Sequence, residues 1–295
     1  MDIQRAVHPL HICTVRIWHR ILCQWFNLKD LISALDYKTF DLNVRKGSYG
    51  QTFLMYACNR GNMEATIRLL ELGANANIPS GKGRMALFDD VLRVKDDTSL
   101  EELENSVAII NTLLELASSG NEVDVNMPNL KLSNRTTVMM AMYQKLPELA
   151  LPILRHLKIE INQQDSRGYA ALYLAVFVGL ADIVKEMLEF DGIIVDVVEF
   201  SASRTALMFA AECNRQKIVE LLLCRGAKPN LQNSSGATAM LGAVEEGSTD
   251  VVRVMFNPQR EVNLFTLYED NRTLLRGTAE NEYTEILDIL HEKGL

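Results

Sequence analysis

The chain has little of what secreted scaffolds, membrane proteins and most enzymes are built from. Its five cysteines, Cys13, Cys23, Cys58, Cys213 and Cys224, contain no CxxC pair and no closely spaced even framework. That excludes a disulfide-stapled design and leads to the expectation of reduced thiols in a cytosolic or nuclear protein. Long apolar runs are missing as well. The longest, AALYLAVFVGLA at 170–181, is too short to cross a bilayer. Near the start, Arg16, His19 and Arg20 interrupt the apolar residues, so no signal-peptide core is expected there. Positive charge is in deficit, with 30 Lys/Arg against 38 Asp/Glu and a net charge of −8. Non-specific nucleic-acid binding needs a basic footprint, and the balance argues against it. The deficit is uneven: residues 1–88 hold 11 Lys/Arg against 6 Asp/Glu, and the remainder 19 against 32.

Catalytic constellations are also lacking. The five histidines, His8, His11, His19, His156 and His291, lie near no recognisable nucleophile motif. SGKGR at 80–84 lacks the spacing of a phosphate-cradling loop. Asp89–Asp90 and Glu245–Glu246 are sequence neighbours, so on a helix they diverge instead of forming a catalytic pair. The segment HPLHICTVRIWHRILC at 8–23 gathers three histidines and two cysteines, and His19 and Cys23 could share a helix face. Their spacing matches no zinc family, and a Trp- and Ile-rich helix is the simpler reading. The expectation is a chain without catalytic residues, cofactor or metal.

What is present is repetition. Hydrophobic residues make up 48% and charged residues 23%, enough for a packed core. SRTALMFAAECNRQKIVELLLCRGAKPN, beginning at Ser203, echoes GQTFLMYACNRGNMEATIRLLELGANAN, beginning at Gly50. An opening motif recurs with third residues Thr52, Met85, Thr136, Ala170, Thr205, Thr238 and Thr273, at spacings of 33, 51, 34, 35, 33 and 35. A closing Asn or Asp recurs at Asn43, Asn77, Asn126, Asn162, Asp196, Asn230 and Asn263, at 34, 49, 36, 34, 34 and 33. Two independent markers share one period and one anomaly, so the repeat is real. Each unit reads as helix, turn, helix and extended return. A threonine caps the first helix, worth about 1 kcal/mol. Small residues follow (Ala57, Ala175, Ala210, Ala211, Ala243), then a turn glycine (Gly61, Gly179, Gly247) and a second amphipathic helix such as IVELLL at 218–223. Gly73, Gly226 and Gly294 sit where a helix would end in the left-handed conformation. The shared anomaly is an insertion within RVKDDTSLEELENSV at 93–107. There Thr98 and Glu101 form a capping-box pattern predicting a longer second helix, with a solvated acidic surface.

The pattern T-x-L-x-x-A, G, I-V-x-L-L, G-A-x-x-N resembles the ankyrin repeat. The resemblance covers about residues 43–295, as an array of about seven units. Residues 1–42 are read as an N-terminal helix and a degenerate capping repeat through NLKDLISALDYKTFDLN at 27–43. It implies an all-α repeat solenoid, with ankyrin helix–turn–helix units joined by β-hairpin fingers. The family's histidine after Leu is replaced by Met55, Phe88, Met139, Tyr173, Met208, Leu241 and Arg276, and the loss of its hydrogen bond is expected to weaken each unit. The chain stops where the second helix of the last unit stops, so that unit is expected to fray.

The resemblance also implies binding through the concave face and finger tips. The residue before each opening position is Gln51, Arg84, Arg135, Tyr169, Arg204, Ala237 and Arg272, a row with four arginines and with Lys82 and Arg167 nearby. Such a row suits an acidic peptide, because guanidinium groups take carboxylates bidentately. Further along the first helices stand Tyr143, Phe177 with Val178, Glu212 and Glu245: an aromatic middle and an acidic end. VDVVEF at 195–200 puts Val197, Val198 and Phe200 on a finger. The reading is a monomeric, non-catalytic scaffold or adaptor for a protein or peptide partner, without nucleic acid or membrane. Its alternatives are a regulatory array acting on a separate enzyme or transcription factor, and a nucleotide-responsive sensor using the arginine row and Tyr169.

Overall fold

The computed structural model describes residues 41–45, 47–95, 97–116, 122–257, 261–264 and 273–292. The His/Cys-rich segment, most of the degenerate first repeat, Arg272 and Gly294 lie outside them. The described residues form fourteen helices in seven antiparallel pairs and no strands. In chain order they are α1 (Phe53–Asn59), α2 (Met63–Glu71), α3 (Ala86–Arg93), α4 (Leu100–Leu116), α5 (Thr137–Tyr143), α6 (Pro147–Leu154) and α7 (Ala171–Val178). They continue with α8 (Ala181–Leu188), α9 (Ala206–Glu212), α10 (Gln216–Cys224), α11 (Ala239–Glu245), α12 (Thr249–Met255), α13 (Leu274–Glu280) and α14 (Thr284–Glu292). The chain divides into two compact units: Met1–Leu132 with Arg155–Lys158, and Ser133–Leu154 with Ile159–Leu295.

Within each unit the opening threonines start the odd-numbered helices. Thr52, Thr136, Thr205, Thr238 and Thr273 each accept a hydrogen bond from the amide three residues on, at 3.3–3.5 Å. Met85 and Ala170 stand at the same place without a side-chain cap. At two of the positions that lost the family's histidine, a methionine partly replaces it. Met55 and Met208 turn their sulfurs toward the amides of Thr52 and Thr205 at 3.5 Å, weak bonds that still give a buried donor a partner. The expected small residues are buried where paired helices meet: Ala57, Ala175, Ala210, Ala211 and Ala243. The cores are mainly aliphatic, with Phe53 and Phe88 fully buried in the first unit. Leu54, Leu69, Leu87 and Ile109 fill the first unit; Met139, Leu149, Val184, Val219 and Val252 fill the second.

The closing asparagines turn out to be ladder residues. Asn77 Oδ1 accepts from the Asp124 amide at 2.8 Å and its Nδ2 donates to the Glu122 carbonyl at 2.7 Å. Asn162 does the same with Ile194 and Gly192 at 2.9 and 2.8 Å, and Asn230 with Asn263 and Glu261 at 2.7 and 2.6 Å. Each side chain thus satisfies one donor and one acceptor of the next repeat's loop. Asp196 can only accept, and makes the single bond from Lys228 N at 3.1 Å.

Among the described residues the fingers are turns with isolated antiparallel bridges that include Gln164 with Ala170 and Val198 with Thr205. A second periodic set of polar residues shapes their tips: Ser80, Asn129, Asp165, Glu199 and Asn233. Asp165 Oδ1 accepts from the amides of Arg167 and Tyr169 at 2.8 and 3.0 Å. Glu199 gathers the amides of Ser201, Ala202 and Arg204 and the Ser201 hydroxyl. Burial works against its charge, but these hydrogen bonds outweigh it and hold the carboxyl down at about 2. Its finger is one residue longer between tip and cap than that of Asp165, and the extra methylene of Glu matches the longer loop.

The insertion differs from its reading in one respect. The cap of α4 is Ser99, whose hydroxyl accepts from the Glu102 amide at 3.3 Å, one residue later than the Thr98–Glu101 pattern. The Thr98 hydroxyl accepts from Lys95 N at 2.8 Å instead, closing the loop that precedes the helix. As read, α4 is long, 17 residues against 7 to 9 in the other even-numbered helices. Glu101, Glu102 and Glu104 are exposed, while Asn105 and Ser106 turn inward.

Candidate partner-binding face

Among the described residues of the row that precedes the opening positions, Arg84, Arg135 and Arg204 have their charges paired inside the fold. In the first unit, Arg84 lies 3.2 Å from Asp89, to which Gln51 also donates at 3.1 Å. In the second unit, Arg135 Nε is 3.3 Å from Asp165, and its guanidinium lies 4.3 Å from the Tyr143 ring centre. Arg204 sits between Glu199 at 3.5 Å and Glu212 at 3.3 Å. These arginine side chains are only 12% and 30% exposed. Arg167 is exposed, its backbone tied to Asp165 and Phe200. Of the carboxylates that neutralise the row, Asp165 carries a readable signal, the D-x-x-G spacing of Asp165–Gly168.

Beside the arginines, the second unit carries an aromatic cluster on α7 and α9. Tyr169 stacks on Tyr173 at 4.9 Å and 18°, Tyr173 meets Phe209 at 5.8 Å, and Phe209 meets Phe177 at 5.1 Å. Phe177 is 45% exposed and Tyr143 48%, while Tyr173 is only 2% exposed. Val178 is half-buried next to Phe177. The Tyr173 hydroxyl is buried without a hydrogen-bond partner, and burial raises its pKa well above the usual phenol range. Such rings gain from both area and geometry, and an exposed phenylalanine at a helix end keeps that gain available to a partner.

Acids follow along the same row of helices. Glu212 ends α9, Glu245 ends α11 with Glu246 just beyond, and Glu280 ends α13. Gly242 lets Glu212 lie across α11: a Cβ at Gly242 would stand 2.8 Å from the glutamate's Cγ. Burial raises the Glu212 pKa, Arg204 opposes the rise, and Glu246 and Glu245 add to it. Fingertip apolar residues lie nearby in sequence, with Val198 38% and Phe200 63% exposed. The Phe200 ring lies against Gly168, where a Cβ would meet it at 2.6 Å.

In the first unit, the Asp89–Asp90 pair that sequence placed on diverging sides does diverge, and both carboxylates are buried. Asp90 faces Arg93 at 3.4 Å and the Ser106 hydroxyl, with Cys58 of α1 close by. Burial pushes Asp90 up to about 7 against the pull of Arg93. Cys58, wholly buried beside it, is also pushed up and is no nucleophile. Among the described residues no group of three His, Cys, Asp or Glu could hold a metal ion. No described helix is long and apolar enough to cross a membrane.

A family model of three consecutive ankyrin repeats matches residues 138–233, and a single-repeat model matches residues 49–80. The chain is an ankyrin repeat protein. It is 24% identical over 199 residues to the B-cell lymphoma 3 protein homolog of Mus musculus, covering 66% of this chain and 43% of that one. It is 32% identical over 94 residues to an ankyrin repeat-containing protein of Treponema pallidum (strain Nichols), covering 32% of this chain and 31% of the relative. The ankyrin protein thus spans less than half the length of these curated relatives. Among solved structures, the ankyrin repeat domain of Bcl-3, described as a unique member of the IkappaB protein family, superposes with a TM-score of 0.65 at 23% identity. That match covers 82% of this chain and all of the other. At that identity the likeness speaks for the fold. As a class, ankyrin repeats mediate protein–protein interaction.

Proposed function

We propose that this ankyrin protein is a non-catalytic adaptor or regulator that holds a segment of another protein on the first-helix face of its second unit. The observation carrying this reading is Phe177, 45% exposed on the helix α7 and continuous with Phe209, Tyr173 and Tyr169. Tyr143 and Val178 extend the apolar surface, and Arg135, Arg167, Arg204, Glu212 and Glu245 give it a charged border. An apolar centre with a charged rim is the usual anatomy of a binding hot spot. In the first unit, Arg84 is the corresponding position. The nucleotide-sensing alternative draws no support from the arginine row, because Arg84, Arg135 and Arg204 are each held by a carboxylate.

The test is affinity purification from cells with the intact protein beside a Phe177→Asp, Arg204→Glu double variant. The expected result is a set of partners recovered by the first and lost by the second. Recovery of the same partners by both proteins would remove this face from the mechanism.

A further inference from the structure

We infer that the ends of the first helices are set from the following repeat, by a polar side chain reaching back over the turn glycine, and that Arg215 thereby positions Phe177. Only the weight given to Phe177 rests on the proposed face; the contact itself does not. The last carbonyls of a helix have no partner within it. That of Phe177 is taken by Arg215, the residue just before α10, whose Nη2 donates to it at 2.9 Å. The Glu245 carbonyl accepts from the hydroxyl of Tyr283, just before α14, at 3.4 Å. In the first unit, Asn105 of α4 donates to the Gly61 carbonyl at 2.7 Å.

Each of these side chains lies on a glycine. A Cβ at Gly179 would stand 1.9 Å from Arg215 Nη1, one at Gly247 2.8 Å from the Tyr283 ring, and one at Gly61 3.0 Å from Asn105 Nδ2. Backbone conformation alone does not call for glycine at this turn. Lys145 and Asn214 occupy it at φ of 60° and 51°, close to the 66° of Gly247. What differs is the residue one repeat on, immediately before the next even-numbered helix. Gly179 and Gly247 are answered there by Arg215 and Tyr283, whereas Lys145 and Asn214 are answered by Leu180 and Ser248. Leucine has no side-chain donor, and the Ser248 hydroxyl is buried without a partner. Glycine at the turn thus goes with a long donor in the next repeat, and a side chain at the turn goes with its absence.

For α7 the consequence is a last turn held from two sides. The amides of Gly179 and Leu180 both donate to the Ala175 carbonyl at 2.9 Å, and Arg215 fixes the Phe177 carbonyl from outside the helix. The Phe177 ring is 45% exposed and packs on Phe209 at 5.1 Å. Phe209 and Arg215 both belong to the next repeat, so that repeat places the exposed ring through its side chain and through its backbone.

Amide hydrogen exchange by NMR on the full-length chain tests this. Arg215→Ala is expected to speed exchange at Gly179 and Leu180 about three- to tenfold, the loss of one such hydrogen bond. The amides of Gly247 and Ser248, which close α11, are expected to stay unchanged. A 4-fluorophenylalanine at position 177 is expected to shift and broaden its fluorine resonance in Arg215→Ala but not in Tyr283→Ala. Gly179→Asn with Arg215→Ser recreates the pair found at Asn214 and Ser248. That double variant is expected to exchange no faster at Leu180 than Arg215→Ser alone, because both changes remove one contact. Unchanged exchange or an unmoved resonance in Arg215→Ala, equal acceleration at Gly247 and Ser248, or additive effects in the double variant would overturn the inference. None of these readouts needs a partner. If they hold while cellular partners do not depend on Phe177, the contact stands and the proposed face fails. If they fail while partners do depend on Phe177, the face stands and the inference falls.

Discussion

Replacing Asp90 by Asn should make the first unit less sensitive to pH, in a direction and by an amount the structure sets. Asp90 is fully buried on α3, with Arg93 at 3.4 Å on its own helix, Ser106 on α4, and Cys58 facing it from α1. Asp89, also buried, turns to Arg84 and Gln51. Burial raises the Asp90 carboxyl from 3.8 to about 7. A folded-state value above the unfolded one means that the folded chain binds the proton more tightly between those two pH values. Stability is therefore greatest at low pH and falls as pH rises from about 4 through about 7. Applying that linkage between pH 5.5 and 8 gives a loss of about 2 kcal/mol attributable to this one group. Asparagine keeps the shape and can still accept from Arg93, but has no charge to bury. The assay is urea unfolding of both proteins at pH 5.5 and 8.0, followed by circular dichroism. Other titrating groups, Asp89 included, contribute to both proteins and cancel in the difference of differences. The wild-type chain should lose about 2 kcal/mol more than Asp90→Asn over this interval. An identical pH response in the two would refute the account, and would mean that Arg93 and Ser106 solvate the carboxylate as well as water does.

Four other substitutions test the second unit and the turns between its helices. Asp196→Asn restores the missing donor of the loop ladder and should stabilise the second unit by about 0.5–1.5 kcal/mol in urea unfolding, with no change or a loss counting against the ladder reading. Lys145 and Glu282 hold φ of 60° and 59° at the inter-helix turn where Gly61, Gly179 and Gly247 sit. Glycine there relieves about 1–2 kcal/mol of left-handed strain against about 0.5–1 kcal/mol of added chain entropy. Lys145→Gly should raise the midpoint, and by more than Asn214→Gly, because Asn tolerates that conformation better; the reverse order would contradict the strain argument. Tyr173→Phe removes a hydroxyl buried without a partner and should leave stability unchanged or raise it by up to about 1–3 kcal/mol, whereas a clear loss would reveal a partner for that group.

The fold was legible because its markers answer local needs that recur once per repeat. Thr205 caps α9 as Thr52 caps α1, and Asn162 bridges to the next loop as Asn77 does, so both survive where other letters drift. What drifted was less legible. Met208 does part of a histidine's work through sulfur, a substitution that no charge or polarity pattern announces. The cap of α4 is one residue off its pattern because Thr98 and Ser99 are both able capping residues. Only the loop's closure onto Lys95 decides between them.

The arginine row was misleading as free charge. Arg135 and Arg204 read as cations because sequence reports a side chain without its partners. Asp165 lies 30 residues from Arg135, and Glu199 precedes Arg204 by five on the far side of a turn. One repeat length is the distance at which neighbouring units touch, so in a stacked array a residue's neutralising partner is to be sought one period away as well as across its own turn. Applied here, that rule finds Asp165 for Arg135 and Gln51 for Asp89, whereas Arg84 and Arg204 meet Asp89, Glu199 and Glu212 within their own stretch of chain. Electrostatic reading of a repeat protein therefore has to be done on pairs of repeats.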